Sequence, residues 1–234
     1  WFNSFFDIVI QKLCQRKYMP DYKPTKTSYT EDLSVKILKQ LGISAKRNNT
    51  TNIIAVDLVT DINNIRIDVQ YSQDFTTWGD LRLDFVSAYS KGVLGKEYSN
   101  IHIFKKFESK NGLKVDKVGK YFQADYLDAV IVLFYNKKLE IDDATKDYNP
   151  DKILLITKKE LLKYLDDNLD KCLKDTKLNN KEGLGDLHGS AFLPINVSKL
   201  TKDTTCYFDT IVNLKSKSEE IKKYLGCEEK KEDN

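Results

Sequence analysis

The sequence predicts an α/β or α+β fold in which helices flank a mixed central β-sheet. Three observations carry this. Residues 126–135 and Lys152–Thr157 are nearly continuous apolar runs, the signature of strands buried on both faces. Two shorter segments on either side of Asp61–Asn64 suit a β-hairpin. Leu33, Ile37, Leu38 and Leu41, and later Leu161, Leu162, Leu165 and Leu169, recur at helical spacing, so amphipathic helices precede and follow the strands. At 234 residues the chain can bury one substantial core with an appended lobe.

In chain order, residues 4–16 suit a short amphipathic helix, and 19–27, with two prolines, an extended arm. Ser28 to Glu31 resembles a helix start, with Thr30 or Ser28 as the cap and acids in the first turn. Gly42 supplies its stop. Strands follow at 53–59 and 65–71, and the Asn63-Asn64 pair tolerates the left-handed backbone of the tight turn between them. Residues 80–89 alternate like a strand, yet Leu81, Phe85, Ala88 and Tyr89 also fit one helix face; the helix is preferred. Residues 101–107 suit a strand and Asn111-Gly112 a turn. Beyond the two apolar strands come a helix over 158–173, a Gly-rich loop over 174–190, closing strands at 191–197 and 206–214, a short helix near 219–225 and a charged tail.

Composition narrows the chemistry. Hydrophobic residues make up 41% and charged ones 31%, with 13 Tyr and 11 Phe, a globular balance rather than a disordered one. No run approaches the ~20 apolar residues of a membrane span. The apolar opening is broken by Asn3, Ser4 and Asp7, and lacks the basic start and small-residue cleavage site of a signal peptide. The first residue is Trp1 rather than Met, so the sequence does not fix the natural start. Cys14, Cys172, Cys206 and Cys227 are scattered without a CxxC, as in a reducing compartment, and a cytoplasmic location is expected. With only His102 and His188 for company, they argue against a zinc ribbon or His-rich zinc centre. Any catalytic metal would be a hard, oxygen-liganded ion. No phosphate-binding loop accompanies Gly92, Gly95, Gly183 or Gly185, and His188 suits an incidental loop histidine better than a general base.

Net charge is only +3, but residues 1–50 hold nine Lys or Arg against four Asp or Glu. Lys46 and Arg47 in that stretch, and Lys105 and Lys106 in the run Lys105, Lys106, Lys110, Lys114, Lys117, Lys120, are candidate nucleic-acid contacts. Phe104, Phe107 and Tyr121 interleave with that run; a solvated lysine surface explains it equally well.

The hairpin carries the clearest chemistry. Asp57 lies in the apolar run Ile53-Ile54-Ala55-Val56-Asp57-Leu58-Val59, where a charge is costly unless paired or metal-bound. Asp68 and Gln70, two apart on the next strand, share one face. Pairing through the Asp61–Asn64 turn sets Asp57 almost opposite Asp68, with Cβ atoms about 5 Å apart. Carboxylates that close repel unless a cation lies between them. The same residues also fit an ordinary hairpin, with Arg66, Asp68 and Gln70 on a solvent-facing edge.

This pattern resembles the PD-(D/E)XK, or restriction-endonuclease-like, nuclease superfamily over roughly residues 28–170. Glu31 matches the helix acid of that family, Asp57 the acid of the first strand and Asp68-Val69-Gln70 the (D/E)-x-K of the second. The chain then divides into an N-terminal helix and arm (1–27), a nuclease-like core (28–173) and a C-terminal loop, closing strands and tail (174–234). Val56 stands where the family name has Pro, and Gln70 where it has Lys. The resemblance implies a Mg²⁺- or Mn²⁺-dependent endonuclease acting on DNA, such as a type II restriction enzyme, commonly a homodimer. Asp57, Asp68, the Val69 carbonyl and Glu31 (or its neighbour Asp32) would hold the metal, and Gln70 could only orient a water. A non-catalytic nucleic-acid-binding or assembly module of the same fold is the alternative that Gln70 keeps open.

Overall fold

A computed structural model describes residues 26–48, 56–90, 101–123, 125–138, 149–180 and 189–228. The helix expected over residues 4–16, the arm up to residue 25, residues 53–55 of the first hairpin strand, Cys14 and His188 lie outside them.

The protein is a mixed α+β molecule built on two sheets. Helix α1 (Lys26–Gln40) leads into β1 (Ala45–Arg47), β2 (Leu58–Thr60) and β3 (Arg66–Ser72), followed by a single turn α2 (Phe75–Trp78) and the long β4 (Asp80–Ser90). Next come α3 (Ile101–Asn111), β5 (Lys114–Val118) and a 3-10 turn at Lys120–Phe122. The buried strands β6 (Ala129–Phe134) and β7 (Lys152–Thr157) precede α4 (Lys158–Asp167), α5 (Leu169–Asp175), β8 (Lys177–Asn180) and β9 (Gly189–Asn196). The described chain closes with α6 (Val197–Asp203), β10 (Tyr207–Asp209), α7 (Ile211–Lys215) and α8 (Ser218–Leu225).

Six strands form one sheet in the order β1-β2-β3-β6-β7-β10, antiparallel except for the parallel pair β3–β6. The other sheet, β5-β4-β9-β8, is wholly antiparallel. Strand alternation sorts the six-stranded sheet's side chains onto two cores. Ile67, Val69, Ile131, Leu133, Ile153 and Leu155 pack against Leu33, Ile37, Leu38 and Leu41 of α1 and Leu214, Ile221 and Leu225 near the C-terminus. Val130, Val132, Phe134, Leu154 and Ile156 face the second sheet and α3. Strands β6 and β7 are therefore covered on both sides, as their unbroken apolar sequence requires. Asp68 and Gln70, alternating with Ile67 and Val69, are on the face turned toward the second sheet.

Several expectations need correction. Residues 80–89 are strand, not helix: Leu81, Leu83 and Phe85 alternate inward, and β4 is paired on both edges by β5 and β9. Residues 101–107 belong to a helix whose Ile103, Phe104 and Phe107 fill one buried face against Phe85 and Phe122. Helix α1 starts at Lys26, which places Thr30 inside it rather than at its cap, with Oγ1 donating to the Thr27 carbonyl at 2.9 Å. The helix expected over 158–173 is two helices meeting at Asn168, and the closing strand expected over 206–214 ends at Asp209 and gives way to α7. The C-terminal stretch set apart at 174–234 contributes β8 and β9 to one sheet and β10 to the other. Among the described residues no helix is long and apolar enough to cross a membrane.

Candidate active site

The hairpin forms as its sequence requires. Asn63 and Asn64 take φ of 58° and 51°, the left-handed pair that a tight turn needs. Strand β2 pairs with β3 through Leu58↔Ile67 and Val59↔Arg66. Carrying that register one step further sets Asp57 opposite Asp68. Strand β2 begins only at Leu58, so Asp57 stands at a bend just before it rather than within the expected strand. Its backbone carbonyl accepts the Asn48 N–H at 2.8 Å, and its side-chain Oδ2 accepts the Val69 N–H at 2.7 Å. A strand residue points its N–H and C=O to the same edge, so the Val69 carbonyl faces the edge that Asp57 occupies.

Asp68 overturns the solvent-facing reading of its strand, being 1% exposed. Lys120 of the 3-10 turn brings Nζ to 2.5 Å from Oδ1, and Tyr121 donates its hydroxyl to Oδ2 at 2.9 Å. Arg66, expected on the same edge, turns to Asp128 in a two-pronged ion pair with both contacts at 2.9 Å. Asp57, the acid that apolar flanks single out in the sequence, is only half-buried. The deeply buried carboxylate is its partner.

Burial raises the Asp68 pKa to about 6; Lys120 opposes that rise and Asp57 adds to it. Burial pulls the Lys120 pKa down, but Asp68, with help from Asp57, more than restores it, so the ammonium holds its proton more firmly than an ordinary lysine. Burial and Asp68 push the Tyr121 phenol well above its usual range. Tyr126 feels burial first, then Lys120, Asp68 and Asp57, which puts it within electrostatic reach of the same cluster.

The 3-10 turn reaches Asp68 through two features of β4. The Gly119 N–H donates to the Phe85 carbonyl at 2.8 Å, and a Cβ on Gly119 would lie 1.9 Å from the Asp84 carbonyl oxygen. The Lys120 N–H meets Asp84 Oδ2 at 3.4 Å, and that oxygen also accepts Ser87 Oγ at 2.9 Å. Asp84 thus borders the site through the backbone of Lys120, while Asp80 lies 3.9 Å from Arg82.

Glu31, on α1, is held by Arg47 at 2.5 Å, and Arg47 also reaches Asp32 at 3.1 Å. Glu31 is the half-buried acid of the two, with a side chain 13% exposed against 57% for Asp32. Burial lifts the Glu31 pKa, Arg47 lowers it and the Asp57 charge raises it again, which puts Glu31 within electrostatic reach of Asp57.

The expected nucleic-acid contacts are dispersed. Arg47 turns inward to the two α1 acids, and exposed Lys46 lies 3.8 Å from Asp61. Lys105 and Lys106 ride the outer side of α3, where Lys106 pairs with Asp170. Phe104, Phe107 and Tyr121 are fully buried, so they do not interleave with lysines on the surface. Lys120 is the one member of that run that enters the site. The paired hairpin acids and a neutral Gln70 call for a cation, but the sequence does not say which lysine supplies it.

Among the described residues no three His, Cys, Asp or Glu side chains gather as a metal-binding group. The donor chemistry still fits magnesium, which retains several waters and takes one or two carboxylates. Asp57 and Asp68, adjacent across the hairpin with the Val69 carbonyl on the same edge, offer hard oxygens of that kind. No protein-family model, no curated protein and no solved structure matches this chain.

Proposed function

We propose that this protein is a metal-dependent nuclease that hydrolyses phosphodiester bonds in DNA. The observation that carries the reading is the meeting of Asp57 and Asp68 across the hairpin with Lys120 against Asp68. The order of helix acid, hairpin acids and buried strands supports it, as in the superfamily that the sequence resembles. Asp57, Asp68 and the Val69 carbonyl would hold a divalent ion, with Glu31 behind them. When bound, Mg²⁺ would supply Lewis acidity, lowering the pKa of a water and neutralising charge on the phosphate.

The chain's own residues divide the remaining work. Asp57 is fixed by the Val69 N–H, so its carboxylate is oriented before any ligand arrives. Lys120 keeps its proton beside Asp68 and serves as a fixed cation for phosphate oxygens, not as a base. That is the role Gln70, neutral and two residues along β3, cannot fill; its amide can hold a water by hydrogen bonds.

A second reading, a nucleic-acid-binding module without catalysis, draws on one observation: both Asp68 oxygens are already engaged, by Lys120 and Tyr121. Incubation with plasmid DNA and Mg²⁺ or Mn²⁺, with an EDTA control, separates the two. Metal-dependent cutting that Asp57→Ala or Asp68→Asn lowers at least about 100-fold, the scale of a lost transition-state charge stabiliser, upholds the nuclease. Binding without cutting favours the module.

A further inference from the structure

Beyond Asp68, β3 runs along one wall of a cleft of about 440 Å³, a size within the roughly 300–1,000 Å³ of small-ligand sites. Its floor includes Leu81 of β4 and Val132 of β6, which are 1% and 0% exposed. Gln70 and Ser72 lie along one side, and Arg82, Lys138 and Asp74 also line it. Gln70 and Ser72 share the face of β3 that carries Asp68, about 7 and 13 Å further along the strand. The cleft and Asp68 therefore lie along the same face of β3, with Gln70 between them.

We propose that this cleft seats one unpaired nucleotide of the substrate strand, next to the phosphate held at Asp57, Asp68 and Lys120. The inference rests on the nuclease reading and names its substrate class: single-stranded DNA, or duplex DNA with a frayed or flapped end. The chemistry of the lining matches a nucleotide part by part. Leu81 and Val132 close the cleft from beneath but are buried, so the base would be recognised through its edge. The Gln70 amide and the Asp74 carboxylate supply donors and acceptors for its edge. Arg82, held 5.8 Å over the Phe192 ring and 3.9 Å from Asp80, and Lys138 place positive charge for the neighbouring phosphates. A base can enter a cleft floored by β4 and β6 only after leaving its stack, a cost that is smallest where the strand is already single.

The test is fluorescence anisotropy in EDTA, so that binding is read without cleavage. The probes are a labelled single-stranded oligonucleotide of about eight thymidylates and a blunt duplex of equal length, with thymidine monophosphate as competitor. The single strand is expected to bind at least roughly tenfold tighter than the duplex, the scale of seating one base. Ser72→Tyr, which fills the cleft, and the double variant Arg82→Ala/Lys138→Ala, which leaves it open but without its cations, should each remove most of that preference. The surface pair keeps the test decisive if Ser72→Tyr does not fold. Equal binding of the two probes, no binding of either, or a preference untouched by these variants overturns the cleft assignment. Competition by the mononucleotide as strong as that of the oligonucleotide overturns the strand as its ligand. Adding Mg²⁺ to the same samples reads the nuclease proposal separately, because cutting can fail while the single-strand preference stands.

Discussion

Lys120 and Asp68 lie 52 residues apart in sequence, yet the lysine Nζ sits 2.5 Å from a carboxylate that is 1% exposed. The pair joins the two sheets, since Asp68 is on β3 and Lys120 follows β5. Replacing the lysine leaves a buried charge with only the Tyr121 hydroxyl, and losing one partner of a buried pair costs several kcal/mol. Lys120 retains 27% exposure, so water offsets part of that loss, and Lys120→Met should destabilise the fold by about 2–3 kcal/mol at pH 8. At about pH 5 the deficit should shrink, because Asp68 then takes up a proton and no longer needs the cation. Urea unfolding at the two pH values checks this. An equal deficit at both would mean that Lys120 contributes packing alone.

The raised Asp68 pKa also sets a pH dependence for the parent protein. Unfolded, the carboxyl titrates near 3.8; folded, near 6. Between those values the native state binds the extra proton, so this group's contribution is fully present below about pH 4 and is lost as pH rises through 6. Asp209, held down to about 2 by Lys152, contributes with the opposite sign and loses its effect only as pH falls toward 2. The difference in unfolding free energy between parent and Asp68→Asn isolates the first effect. Relative to that variant, the parent should lose stability from pH 4 to pH 7, by on the order of 3 kcal/mol in total. A flat difference curve would show that Asp68 does not titrate in that window.

How much of this was legible in the sequence depends on how local the cause is. The hairpin was, because Asn63-Asn64 commits the turn, and the turn commits Asp57 to face Asp68. Strands β6 and β7 were, because burial on both faces leaves no room for polar residues. The segments 80–89 and 101–107 are not legible, because their apolar residues satisfy both periods over so few positions. The choice was made by β5 and β9 on either side of β4, and by Phe85 and Phe122 beneath α3. The apolar neighbours of Asp57 in sequence mark it as the buried acid. Burial is set by neighbours in space, and these put Tyr121 and Lys120 over Asp68 instead. Nothing adjacent to Lys120 in the chain marks it off from the other lysines of its run.

Gly119 is expected to be indispensable for that placement. A methyl group there would meet the Asp84 carbonyl oxygen at 1.9 Å and its carbon at 2.5 Å, and both atoms are backbone, which cannot rotate away. Gly119→Ala must therefore push the 3-10 turn off β4, at an overpacking cost of about 1–3 kcal/mol. Displacing the turn carries Lys120 and Tyr121 away from Asp68. The expected signature is a lower melting temperature together with a stability deficit that, as for Lys120→Met, is larger at pH 8 than at pH 5. Gly112, whose added Cβ would meet nothing within 4 Å, is the control: its φ of 64° makes Gly112→Ala a strained change, but one without effect on the Asp68 titration.

Divalent metal should stabilise the fold through the same two carboxylates. A ligand that binds only the native state at 100 times its Kd adds about 2.7 kcal/mol, so millimolar Mg²⁺ or Mn²⁺ should raise the melting temperature at pH 8, with Ca²⁺ as an oxygen-seeking comparison. The effect should fade as pH falls through 6, because the proton taken up by Asp68 competes with the ion. Asp57→Asn removes one ligand charge while its amide oxygen can still accept the Val69 N–H, so this variant should fold and yet lose most of the metal-induced shift. Glu31→Gln should lose less, because Arg47 already neutralises Glu31 at 2.5 Å. If the shift persists undiminished in Asp57→Asn, the ion binds elsewhere, and the hairpin acids serve only to join the two sheets through Lys120.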